Sequence, residues 1–178
     1  MDGDIVLPYA LSSEEKKLNL HLTKNRACSS IIQPNHSYLK RFPDIERFSV
    51  EEKQIVESTT LDTLYEKNIV ENIDFIKLDT QGCELDILKG GEKLLDETIL
   101  GVQVEVEFKP MYTSQPLFAD VDRFIRDKLE LELFDIRKAY WKYKEGREIG
   151  PSKGQLIFGD ALYFRDPFKM LKWCERFG

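Results

Sequence analysis

Acidic side chains and a glycine corner fall together in one stretch of this chain. Asp79 closes the apolar run Phe75-Ile76-Lys77-Leu78, Gln81 and Gly82 follow, and Glu84 opens a pattern of helical period. Glu105 and Glu107 stand two apart in a second apolar run and so share one strand face. A carboxylate at a strand end can orient a reacting hydroxyl or accept its proton. Asp79, Glu105 and Glu107 could also form a cluster of hard oxygens suited to Mg²⁺ or Ca²⁺. Each acid has a plainer reading beside this one. Asp79 could cap the turn, and Glu84 could answer the dipole of its helix. Glu105 and Glu107 could sit on a solvated face paired with Lys77 or Lys109, and Asp160 could be a satisfied structural acid. Gly82 reads as the residue that permits the corner.

Positioning these groups requires a strand, a tight turn and a helix. Phe75 to Leu78 reads as a buried strand, and its helix runs from about Cys83 to Leu95, weakened at Gly90-Gly91. Leu100 to Phe108 is the next strand, with Val102, Val104 and Val106 on one face and Gln103, Glu105 and Glu107 on the other. Phe118, Val121, Phe124, Ile125 and Leu129 predict an amphipathic helix over 117–130. Leu131 to Tyr140 and Gln155 to Arg165 read as strands joined by a polar turn, and 167–177 as a short helix. The order from residue 73 is β-α-β-α-β-β, which predicts an α/β fold whose sheet is mostly parallel, with an antiparallel terminal hairpin.

Upstream, an apolar run ending at Ala10 and the alternating segment Leu18 to Leu22 suggest a hairpin-like pair. Residues 24–49 read as a long irregular loop, Lys53 to Ser58 as a strand, and Thr60 or Asp62 as the cap of a short helix. His36 lies in the loop and is a weak candidate base; Tyr140-Trp141-Lys142-Tyr143 could form an aromatic lip or a plain packing edge.

At 178 residues the chain suits a single domain, divided into 1–59 (strands and loop) and 60–178 (βαβα, hairpin and helix). Its net charge of −6 argues against a nucleic-acid partner. Three widely spaced cysteines, with no C-x-x-C, and only two histidines argue against a disulfide framework or a zinc site and suggest a reducing compartment, the cytoplasm. No apolar run approaches a membrane span.

The segment Asp74-Phe75-Ile76-Lys77-Leu78-Asp79-Thr80-Gln81-Gly82-Cys83-Glu84-Leu85-Asp86-Ile87-Leu88-Lys89-Gly90 resembles the central motif of the FkbM-type methyltransferases. Thr60-Leu61-Asp62 resembles a companion motif, and the likeness runs from about residue 5 to residue 166. It implies a Rossmann-like sheet and S-adenosylmethionine as cofactor, with methyl transfer to an oxygen of a carbohydrate or secondary metabolite. Asp79 and Glu105 would then be catalytic, and Asp79, Gln81, Gly82 and Glu84 would border the cofactor. Gln81 departs from the family's glutamate at that position. The glycine-rich cofactor turn has no counterpart here, so the resemblance implies a fold truncated at its N-terminal strands. The alternative is a non-catalytic module for binding or homo-oligomer assembly through an open strand edge.

Overall fold

Alternating valines in one strand, and a glycine break in the helical segment before it, dictate where the main sheet buries itself. The computed structural model describes residues 6–145, 153–168 and 170. Its strands are β1 (Ala10–Leu11), β2 (Lys17–Thr23), β3 (Val50–Thr59), β4 (Phe75–Leu78), β5 (Gly101–Glu107), β6 (Leu131–Trp141) and β7 (Gln155–Arg165). Its helices are α1 (His36–Leu39), α2 (Leu61–Glu66), α3 (Glu84–Lys89), α4 (Glu92–Thr98) and α5 (Phe118–Lys128). The strands form two sheets, ordered β1-β3-β2 and β4-β5-β7-β6.

The α/β class holds, but the mostly parallel sheet does not. In the four-stranded sheet only β4 and β5 pair in parallel; β5–β7 and β7–β6 are antiparallel. The reason is topological. β7 returns from β6 and inserts between β5 and β6, so the terminal hairpin supplies the sheet's interior as well as its edge. The hairpin-like pair upstream also fails. β1 pairs in parallel with β3, and β2 pairs antiparallel with β3. The helix expected at 167–177 falls mostly on residues outside those described.

Val102, Val104 and Val106 are fully buried together with Leu88, Leu94, Leu95, Ile125 and Leu129 from the helices on that face. Each large apolar side chain so buried contributes roughly 1.5–3 kcal/mol. The break between α3 and α4 has a packing cause. A Cβ on Gly90 would lie 2.1 Å from the Ser12 carbonyl oxygen, so only glycine lets the chain after β1 approach this helix. Thr60 caps α2, its hydroxyl accepting from the Thr63 N–H at 2.9 Å.

A second, smaller core gathers Cys28, Tyr38, Leu39, Phe42, Phe48, Met111, Tyr112 and Ile157. It is built from the long loop, whose irregularity resolves into α1 and two single 3-10 turns, and from the segment after β5. This cluster fixes the loop beside the strand ends. No helix of the described residues is long and apolar enough to cross a membrane.

Candidate functional site

The corner after β4 turns on two successive left-handed residues, Gln81 (φ 59°) and Gly82 (φ 97°). Glycine takes that conformation freely; glutamine does so at a cost of roughly 1–2 kcal/mol. The long loop holds the strained residue in place. Ser30 Oγ donates to the Gln81 carbonyl at 2.8 Å. From inside the corner, Glu84 Oε1 accepts from the Thr80 N–H at 2.7 Å, the Thr80 hydroxyl at 3.1 Å and the Gly82 N–H at 3.3 Å. Glu84 is buried and ties the turn to the first turn of α3.

Gln81 aims its side chain back over the strand ends. Its Nε2 donates to Asp79 Oδ1 at 3.1 Å and to Glu105 Oε1 at 3.2 Å. Its Oε1 lies 3.0 Å from the Tyr112 hydroxyl. Tyr112 is fully buried, and its hydroxyl also lies 2.9 Å from the Cys28 carbonyl. The amide thus stands between the two carboxylates, at a point where a cation would otherwise be needed to offset their charge. Among the described residues no three His, Cys, Asp or Glu side chains are set to hold a metal ion.

Asp79 keeps 43% of its side chain in solvent and pairs with Lys77 at 3.4 Å. Glu105 is half-buried and Glu107 buried, so the solvated face expected for them is not what forms. Nor does Lys77 or Lys109 form an ion pair with either of them; Lys77 serves Asp79. Asp160 lies directly across the ladder from Glu105 and is half-buried. Burial, then the charges of Asp79, Glu84 and Asp160, push the Glu105 carboxyl up to about 8. Burial, then Glu84 and Glu105, push Glu107 up to about 9. Glu84 also rises, chiefly through burial. Near neutral pH Glu105 therefore exchanges a proton readily while Glu107 holds one.

The structure brings together Asp79, Gln81, Gly82, Glu84 and Glu105. It leaves His36 exposed on α1, outside this network. Trp141 packs edge-on against Phe42 and Phe158 in the second core, which favours the packing reading of the aromatic lip. Two participants escape a reading confined to acids and histidines. Tyr112 lies two residues after Pro110, and its backbone N–H donates to Gln115 Oε1. Gln115 Nε2 and Glu107 Oε1 are buried without a hydrogen-bond partner, although the amide stands near enough to favour the ionised form of Glu107. Their only sequence signal was position, just past the carboxyl end of a strand that carries two acids.

In open α/β sheets ligands bind outside the carboxyl ends of the strands, which is where this polar network lies. A family model described as the methyltransferase FkbM domain matches residues 2–130, and the chain belongs to that family. The match covers the corner, the strand-end acids and Tyr112 and stops just before β6. No curated protein and no solved structure matches the chain.

Proposed function

We propose that this chain carries the acceptor side of an S-adenosylmethionine-dependent methyltransferase with a Rossmann-like sheet, acting on a hydroxyl oxygen of a carbohydrate or other small molecule. The observation that carries the reading is the Asp79–Gln81–Glu105 bridge at the carboxyl ends of β4 and β5. When bound, S-adenosylmethionine would supply an electrophilic methyl group on a sulfonium centre. Asp79, Gln81 and Gly82 are the residues of this chain that would border it. They fit in part: Asp79 has free carboxylate surface for polar contact, whereas the Gly82 N–H is engaged by Glu84.

Glu105 has the better-tuned acidity for proton transfer, because a general base works best with a pKa near the working pH. Glu105, when ionised, would take the proton of an acceptor hydroxyl. Asp79, more solvated and held by Lys77 and Gln81, orients the hydroxyl. The outer edge of β4 has no partner strand among the described residues, and Phe75 on it is 46% exposed. We read that edge as able to receive a further strand. The free thiols of Cys28 and Cys83 suit a cytoplasmic setting.

Calorimetric titration with S-adenosylmethionine tests the reading. Binding by an upstream-extended chain, with methyl transfer that Asp79→Asn lowers by about 10²-fold or more, supports it. The same open edge favours a second reading, an assembly module. Absence of cofactor binding by both forms, together with concentration-dependent dimers in sedimentation, would favour the module.

A further inference from the structure

The Tyr112 hydroxyl has one proton and two neighbours that want it. The Cys28 carbonyl, at 2.9 Å, can only accept. Gln81 presents one end of its amide at 3.0 Å and the other to Asp79 and Glu105. Two arrangements satisfy this chain of groups. In the first, Tyr112 donates to the Gln81 carbonyl oxygen, and the amide NH₂ donates to both carboxylates. In the second, Tyr112 donates to Cys28, the amide is turned over so that its NH₂ donates to the phenol oxygen, and its carbonyl oxygen faces the acids. The second is repulsive unless one carboxyl carries a proton and donates it into the bond. Amide oxygen and nitrogen are nearly equal in size, so the turn needs no change in packing.

We propose that Tyr112 and Gln81 are positioning residues for Glu105, with the sense of the amide deciding whether Glu105 accepts or donates a hydrogen bond. Glu105 is the member of the pair suited to carry the proton, because it is the more buried and faces the more negative charge. Around it stand Asp79 beyond β4, Glu84 on α3, Glu107 on β5 and Asp160 on β7. Of the cations on the surrounding elements, Lys77 is engaged with Asp79, Arg137 lies across the ladder from Asp160, and Arg47 acts on the Cys28 thiol. Tyr112 and the buried Cys28 and Cys83 thiols stay protonated under the same burial. Hydrogen-bond polarity then links a proton on Glu105 to the Tyr112 hydroxyl without contact between them. The methyltransferase reading gives this link its use in accepting the hydroxyl proton, but the link itself needs neither cofactor nor acceptor.

The test is a pH titration of the purified chain labelled with ¹³C at the glutamate carboxyls and the tyrosine Cζ, read by NMR. The Glu105 signal and the Tyr112 Cζ signal are expected to move together, with one midpoint near 8. Gln81→Asn keeps an amide and tolerates the left-handed backbone, but is too short to span the gap. In it the Tyr112 inflection should vanish and the Glu105 midpoint rise by about one pH unit, a tenfold gain in proton affinity. Glu105→Gln, close in shape to the protonated acid, should also abolish the Tyr112 inflection and serves if Gln81→Asn folds poorly. A Tyr112 signal that does not titrate in the native chain overturns the proposal. So does an inflection that survives Gln81→Asn, which would be the direct field of the carboxylate. Failure here leaves cofactor binding untouched, and failure of cofactor binding leaves this titration untouched.

Discussion

Two regions meet at Tyr112 and treat charge in opposite ways. On one side, at the ends of β4 and β5, acids are pressed under the loop and held by a single amide and by backbone N–H groups. On the other, Arg47 lies 4.5 Å over Trp141 and 5.0 Å over Phe48 at the rim of the second core. Glu105 and Glu107 have lost water, so their proton equilibria are displaced far from those of free carboxyls. The rim cation is half-buried, and its attraction to the rings is a modest term. Proton equilibria are displaced where solvent has been removed from like charges, while the rim region supplies part of the wall that removes it.

The largest effect should come from deleting the residue both regions share. Tyr112→Ala removes a fully buried ring that packs on Phe48 and holds Gln81. We expect a loss of about 3–5 kcal/mol in urea unfolding. A loss below about 1 kcal/mol would mean that the two regions do not depend on this joint.

The next effect is in pH dependence, and it belongs to the acidic side alone. Glu105 and Glu107 rise in the folded state from about 4.3 in a free chain to about 8 and about 9. Between those limits the folded protein binds more protons than the unfolded one, so stability falls as pH rises. It is greatest below about pH 4 as far as these two groups are concerned, and is lost progressively up to their folded values. The slope is at most about 1.4 kcal/mol per pH unit for each group. Glu107→Gln should flatten this slope, match the native stability more closely at low pH and exceed it near the folded value of about 9. Thermal unfolding followed from about pH 5 upward through that value reads the difference. A parallel profile for the variant would remove Glu107 as its source.

The smallest effect lies on the rim. Arg47→Met should change stability by about 0.5–1 kcal/mol or less. The substitution gives up the cation–π attraction, but it also takes away a buried Nε that has no hydrogen-bond partner, and the two changes oppose each other. A change above about 2 kcal/mol would erase the contrast between the regions.

Much of the fold was legible in the order of residues. The valine alternation of β5 and the helical spacing of α5 each have a strong period, and both form within a residue or two of the expected limits. Gly82 at the corner and the interruption at Gly90-Gly91 were legible for the same reason, since glycine marks backbone that other residues cannot adopt or approach. The strand order was not. Insertion of β7 between β5 and β6 depends on pairing across the whole sheet, which no local period encodes. The pairing of β1 with β3 was hidden for the same reason, because two residues are too few to show alternation.

For the site, the chain's own pattern determined that acids stand where two strands end and that a glycine corner separates them from a helix. Only the folded structure decided how those acids behave. It set Gln81 between Asp79 and Glu105, brought Tyr112 to the amide and the Cys28 carbonyl to the Tyr112 hydroxyl from distant parts of the chain, and sealed Glu107 from water. Residue type fixes a group's intrinsic acidity and hydrogen-bonding capacity. Desolvation, and the partner that reaches it, are properties of long-range packing, and these choose whether a carboxyl carries its proton.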